Sequence, residues 1–307
     1  MKAIVSNTTA RIVSVVLVLL AVSVVAAGAA TTIQPLVSAE WLKAHVGQVG
    51  LVVIDIRPKQ DFEAGHVPGA VNGEYPDLWR QADWALPPLE TLNRNLSALG
   101  IGDSTMAVIV SAGTDGTELG GATFAYWVLK YLGHKDVTIL DGGWTAWHTD
   151  PTDPVQSGAS VPTPAQFVED LQPELRATTQ EVIQQLGTDT VLIDARSPDQ
   201  YVGKTKSDLV SRAGRIPGAI NLPFSAFYDE AAHRLKPTAA LASLLPPTLT
   251  GRGTKVIAYC NTGHWSSIDW FVLHELLGYR NTRLYDGSMA AWTRDPRHPV
   301  QTGELPQ

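Results

Sequence analysis

The apolar positions of this chain fall into short runs, and the runs come in pairs. Leu51-Val-Val-Ile-Asp-Ile-Arg57 matches Val191-Leu-Ile-Asp-Ala-Arg196, each an apolar run of strand length that ends in Asp-x-Arg. Ala107-Val-Ile-Val110 matches Lys255-Val-Ile-Ala-Tyr259. Two longer stretches, Thr123–Leu132 and Ser267–Leu277, carry apolar residues at helical spacing and stop at Gly133 and Gly278. Strand-like runs alternating with helical ones predict parallel strands joined by right-handed crossovers. Runs that are apolar throughout, such as Val191–Ile193 and Val256–Tyr259, predict a sheet covered on both faces. The expected fold class is therefore α/β.

The pairing extends to the connecting segments. Gly65-His-Val-Pro-Gly-Ala-Val-Asn72 matches Gly214-Arg-Ile-Pro-Gly-Ala-Ile-Asn221. Thr138-Ile-Leu-Asp-Gly-Gly-Trp144 with Trp147 matches Thr282-Arg-Leu-Tyr-Asp-Gly-Ser-Met289 with Trp292. A repeat of about 140 residues means a duplicated domain, because solenoid repeats are far shorter. The expected boundaries are residues 31–150 for the first domain and 179–300 for the second. Residues 151–178, with Pro151, Pro154, Pro162, Pro164 and Pro173, read as a semi-rigid linker. Thr178 with Glu181 forms a capping box that opens the second unit.

Residues 1–30 break the pattern. They hold Lys2 and Arg11, no acidic residue, an apolar run from Ile12 to Ala26, and then Ala27-Gly-Ala-Ala30. A basic start, an apolar stretch and a small-residue exit predict a secretory signal peptide cut near Ala29 or Ala30, and hence a protein exported to the periplasm. The other reading is an uncleaved membrane anchor through residues 12–30, which reaches spanning length only if the Ala/Gly tail is counted.

Composition narrows the chemistry. Among 307 residues, 44% are hydrophobic and 17% charged, as in a globular protein. Lys+Arg 23 against Asp+Glu 30 leaves a net charge of -7, which argues against nucleic acid as a partner. One cysteine excludes an intramolecular disulfide and any multi-cysteine zinc site, and the eight histidines show no metal-ligand spacing. Metal chemistry is not expected.

That cysteine stands where α/β sheets place their sites, beyond the carboxyl end of a strand. Cys260-Asn261-Thr262-Gly263-His264-Trp265-Ser266 follows the run Lys255–Tyr259 and precedes a helical pattern. Gly263 lets the loop curl, and Ser266 or Ser267 is available to cap the helix. Loop N–H groups aimed at one point would form an anion nest that favours the thiolate, the nucleophilic form. The plain alternative is a small buried hydrophobe. The place at the mouth of a glycine-containing loop favours chemistry.

Taken in order and repeated twice, these motifs resemble the tandem-domain rhodaneses, sulfurtransferases of the thiosulfate/3-mercaptopyruvate family, over about residues 36–300. The resemblance implies two domains, each a five-stranded parallel sheet flanked by helices. It implies that the first is an inactive scaffold forming one wall of the cleft. Aligning Val108-Ile109 with Val256-Ile257 sets Ala112 opposite Cys260. The implied reaction moves a sulfane sulfur from a small sulfur-containing anion, thiosulfate or 3-mercaptopyruvate, through a Cys260 persulfide to cyanide or a thiol. No cofactor is implied.

Several residues depart from the family pattern. Asn261 and Thr262 are neutral where thiosulfate-type members often carry cations. His264 and Trp265 replace small aliphatic residues, Gln200 stands where an arginine is frequent, and Arg215 replaces the histidine of the second G-H-I-P-G motif. Arg212 and Arg215 become the candidates to clamp a sulfonate or carboxylate, with surface ion pairing as the alternative. Arg196, Asp55 and His66 read as structural. A cysteine phosphatase would need a loop one residue longer and an arginine six positions after the cysteine, where Ser266 stands. The rival of another class is a non-catalytic persulfide carrier serving a partner protein.

Overall fold

The computed structural model describes residues 33–303, so the expected export segment lies outside the described residues. Two parallel sheets follow each other along the chain. The first has the strand order β1-β5-β4-β2-β3, with β1 Leu36–Val37, β2 Leu51–Asp55, β3 Val71–Asn72, β4 Met106–Val110 and β5 Val137–Leu140. The second has the order β11-β10-β6-β7, with β6 Val191–Asp194, β7 Ile220–Asn221, β10 Val256–Tyr259 and β11 Thr282–Leu284. Between β7 and β10 an antiparallel hairpin is formed by β8 (Tyr228–Asp229) and β9 (Arg234–Leu235). No helix of the described residues is long and apolar enough to cross a membrane.

Five strands were expected in each sheet, and the second has four. A single parallel bridge between Arg176 and Leu284 stands where β1 stands in the first sheet. Arg176 turns its guanidinium onto the Asp286 carboxylate at 2.8 and 3.0 Å, and two residues later Thr178 caps the next helix. The edge segment thus leaves the sheet after one contact.

The paired motifs prove to be one structural tie, built twice. Arg57 donates from Nη2 to Asp55 at 2.6 Å and to the Gly65 carbonyl at 2.7 Å. Asn72 Nδ2 donates to the carbonyls of Asp55 and Arg57. Arg196 repeats this on Asp194 at 2.6 Å and on the Gly214 carbonyl at 2.8 Å, and Asn221 repeats Asn72. Both ion pairs are buried. Charges persist there because pairing and extra hydrogen bonds offset their desolvation.

The segment 151–178 is not a free spacer. Gln156 pairs with His66 as a β-bridge, Gly158 donates to the Glu63 carbonyl, and Ala165 donates to the Ser97 carbonyl. Phe167 and Leu175 are buried. The prolines fix an extended strap laid along the first domain.

The halves meet through two helices. Gly116–Tyr131 is apolar nearly all round and buried on almost every face, as a helix between two cores must be. It packs on Ser266–Trp270 and the π-helical turn Phe271–Leu276 that continues it. Tyr126 meets Phe271 edge-on at 5.0 Å, and Thr123 Oγ1 lies 2.7 Å from Ser267 Oγ.

Candidate active site

β10 ends at Tyr259, and Cys260 opens the loop that follows. The loop turns at Gly263, whose φ of +86° and close approach to the Asp286 backbone leave no room for a Cβ. This turn brings the Gly263 N–H to within 3.2 Å of Cys260 Sγ. Cys260 N–H donates to Ser288 Oγ at 3.0 Å, and its carbonyl accepts from Met289 N–H, so the backbone is pinned on both sides. Where a nest of several amides was expected, one amide is bonded to the sulfur.

Cys260 is 1% exposed, yet it lines a cavity of about 360 Å³. Asn261, Thr262, His264 and Trp265 line the same cavity. Gly263 shapes the turn, and Ser266 is buried beneath it with its hydroxyl unpartnered. Neither expected serine caps the helix. Trp265 occupies the cap position without a side-chain bond, and Ser267 Oγ donates to the His264 carbonyl at 2.7 Å.

Two departures from the family pattern meet each other. Asn261 Nδ2 donates to Gln200 Oε1 at 3.0 Å. Asparagine after the cysteine and glutamine in place of arginine are therefore one neutral, hydrogen-bonded substitution.

Arg212 and Arg215 do not reach the cavity, which corrects their assignment as substrate clamps. Arg212 Nη2 donates to the carbonyls of Asp295 and His298, both at 2.9 Å. Arg215 is buried, lies 4.3 Å over the Tyr201 ring, and pairs by its backbone with Gln301. His66 stacks on Phe62 and pairs with Gln156 in the same way. Arg215 is thus the second-domain copy of a structural position.

The register also shifts the comparison of the two loops. Asp55 pairs with Val110, and Asp194 pairs with Tyr259. Ser111, not Ala112, therefore stands opposite Cys260. The backbone agrees: Trp144 N–H donates to Ser111 as Met289 N–H donates to Cys260. Gly113 sits against the Gly142 carbonyl, and the hairpin of the second domain covers this loop, with His233 Nδ1 on the Thr114 carbonyl.

The first domain returns the favour at Cys260, through residues the sequence reading missed. Tyr75, Pro76, Trp84 and Glu118 line the cavity. Arg80 Nη1 donates to the carbonyls of Thr262 and Trp84, both at 2.7 Å, while its guanidinium lies 3.3 Å from the Phe124 ring centre. His264 Nε2 donates to the Thr117 carbonyl at 2.9 Å, which leaves Nδ1 to accept from the Tyr75 hydroxyl at 2.8 Å. Burial, reinforced by the Arg80 charge, pulls His264 down to about 4, so the ring is neutral. Burial pushes the Tyr75 hydroxyl up, against the pull of Arg80. The sole signal in sequence was the aromatic cluster of Tyr75, Trp79 and Trp84 in a segment without periodicity.

Behind the loop lies Asp269, fully buried, with no hydrogen-bond partner on either oxygen. Burial pushes its carboxyl well up, with Cys260 and Asp194 adding to the effect. Its proton is therefore held to higher pH than that of an exposed carboxyl.

Comparison with known proteins agrees with this geometry. The model of the rhodanese-like domain matches residues 38–150 and again 178–295. A putative thiosulfate sulfurtransferase of Saccharopolyspora erythraea is 32% identical over 268 residues, spanning 85% of this chain and 92% of that protein. A thiosulfate sulfurtransferase of Corynebacterium glutamicum is 32% identical over 296 residues, spanning 88% and 91%. Among solved structures, the anaerobic ergothioneine biosynthesis enzyme of Chlorobium limicola, bound to trimethyl histidine, superposes with a TM-score of 0.76 at 23% identity. It covers 88% of this chain and 70% of that one. YnjE gives 0.71 at 24% identity, covering 88% and 68%. These two share the fold. With both halves matched by one domain model and relatives aligned over most of its length, the chain belongs to the rhodanese family and is a tandem-domain sulfurtransferase.

Proposed function

We propose that Cys260 takes a sulfane sulfur from a small donor as a persulfide and passes it to a thiophilic acceptor, cyanide or a thiol. In the first step the thiolate attacks the outer sulfur, a new S–S bond forms, and the old bond's electron pair leaves with the rest of the donor. In the second step the acceptor takes the outer sulfur and Cys260 is released as thiolate. The carrying observation is the Gly263 N–H held 3.2 Å from a sulfur that lines an open cavity. A hydrogen bond of this kind stabilises anionic sulfur before and after transfer. Sulfurtransferase names on relatives at 32% identity support the same reading.

The test is turnover of donor and cyanide to thiocyanate, with the protein mass followed in parallel. Cys260 should gain one sulfur on incubation with donor and lose it to cyanide, and Cys260→Ser should do neither. A persulfide that forms but is never turned over would favour the carrier instead. We also propose that the protein acts outside the cytoplasm, on the strength of residues 1–30.

A further inference from the structure

The cavity over Cys260 does not look like a receptor for a dianion. Its lining includes no lysine and no arginine, and apart from the reacting sulfur of Cys260 its one ionisable acid is Glu118. Arg80, the domain-one cation that holds the loop, is buried and does not line the cavity: Nη1 donates to two carbonyl oxygens, Nε lies 3.4 Å from the Tyr75 hydroxyl, and Nη2 is buried without a partner. Thr117, Ser207, Asn261, Thr262 and His264 add neutral polar groups, but much of the wall is apolar and planar: Tyr75, Pro76, Trp84 and Trp265, with Pro58 and Leu209.

Three of these residues carry signs of a built apolar site. Trp84 is held at φ +67°, a left-handed conformation that costs a non-glycine residue energy and persists only where its surroundings enforce it. Trp265 is stacked on Phe224 at 5.1 Å and 18°, which fixes its plane. Leu209 at the cavity edge is 47% exposed, a large apolar side chain with nothing over it. The volume of about 360 Å³ suits an organic molecule with a ring far better than a five-atom inorganic anion.

Resting on the persulfide reading above, we infer that the preferred sulfur donor has an aromatic or similarly apolar body and no more than one negative charge, and that Glu118 discriminates against dianions. In such a donor, R–SO2–S⁻, the outer sulfur bonds to Cys260 Sγ. The S–SO2 bond breaks, and its electron pair departs with the sulfinate R–SO2⁻. No external oxidant or reductant enters.

Three donors separate the contributions: thiosulfate, methanethiosulfonate and benzenethiosulfonate, each assayed for kcat/KM with cyanide as acceptor. Each rate is divided by that donor's rate with free cysteine, which removes intrinsic reactivity. The corrected kcat/KM should rise about tenfold or more from thiosulfate to methanethiosulfonate, and about tenfold again to benzenethiosulfonate. Glu118→Gln should raise the thiosulfate value about tenfold and shrink the first gap. Trp84→Ala should shrink the second. Corrected values that are equal for the two thiosulfonates, or highest for thiosulfate, overturn the inference while leaving the persulfide reading intact. Failure of all three donors to add sulfur to Cys260 by mass sinks both.

Discussion

Arg80 of the first domain donates to the carbonyl oxygen of Thr262, two residues past Cys260, at 2.7 Å across a separation of 182 residues. The first domain thus does more than wall the cleft. A buried guanidinium on that carbonyl fixes the peptide unit that carries the Gly263 N–H, and that N–H meets the sulfur. No carboxylate among the described residues lies within ion-pair distance of Arg80, so its charge is balanced by carbonyls and the Phe124 face.

Arg80 is therefore a positioning residue. Arg80→Gln should lower the rate of sulfur loading about 10–100-fold, the worth of a charge-assisted hydrogen bond, with KM changing little. Arg80→Lys should recover part of the rate by restoring charge without the fork. Stopped-flow loading measured beside Tm decides the matter. Loss of Tm with an unchanged loading rate would make Arg80 structural only.

Arg212 and Arg215 should behave in the opposite way. Their donors go to carbonyls of the chain's closing segment, at Asp295, His298 and Gly303. Arg215→Ala should lower stability by about 2–4 kcal/mol, because it strips a buried cation that ties Tyr201 to the carboxyl-terminal segment around Gln301 and Gly303. Sulfur transfer by the folded fraction of either alanine variant should stay within about twofold of the parent. Denaturant titration and active-site-normalised kinetics measure the two effects separately. A KM rise for anionic donors would restore the clamp role.

Much of this architecture is legible in sequence because the Asp-x-Arg tie uses local, repeated residues. Asp55, Arg57, Gly65 and Asn72 close one loop within a few turns of chain, and the second copy repeats the types. What pairs across domains is not legible. Tyr75, Arg80 and Trp84 lie in an irregular segment, where periodicity carries no information and only the fold brings them to Cys260. The comparison of Ala112 with Cys260 slipped by one residue for a related reason. Strands apolar on both faces do not encode their own register. The arginines of the second domain were visible as charges, but a sequence does not say which way a long side chain turns.

His264 makes the site sensitive to acid through stability rather than chemistry. Its folded value of about 4 lies below that of the unfolded chain, near 6.5. Between those values the unfolded state binds the extra proton and the folded state does not. Stability should therefore be complete above about pH 6.5 and fall toward pH 4, by no more than about 1.4 kcal/mol per pH unit. His264→Gln should flatten that slope while costing stability at pH 7, since Nδ1 no longer accepts from Tyr75. Urea titrations at half-unit pH intervals show it. An unchanged slope in the variant would assign the acid loss to other groups.

The amino terminus offers an independent check on export. Protein recovered from cells that process their own secretory proteins should begin near Thr31, after Ala29 or Ala30. Terminal sequencing or intact mass reads this directly. Met1 on soluble protein would remove the signal peptide from the account.

Asp269 gives the opposite pH signature to His264. Both carboxyl oxygens are buried without partners, and the carboxyl is pushed well above its ordinary range by burial, with Cys260 next in effect. Above about pH 4 the unfolded chain releases this proton and the folded protein retains it, so stability falls as pH rises, again by at most about 1.4 kcal/mol per unit. Asp269→Asn keeps the shape and removes the proton. Its Tm should gain on the parent progressively as pH rises above about 4. The coupling to Cys260 adds a chemical consequence: any ionised Asp269 opposes charge on the sulfur, so the asparagine variant should load sulfur at least as fast as the parent at pH 8. Slower loading with higher Tm would instead make the neutral carboxyl a proton donor that the loop needs.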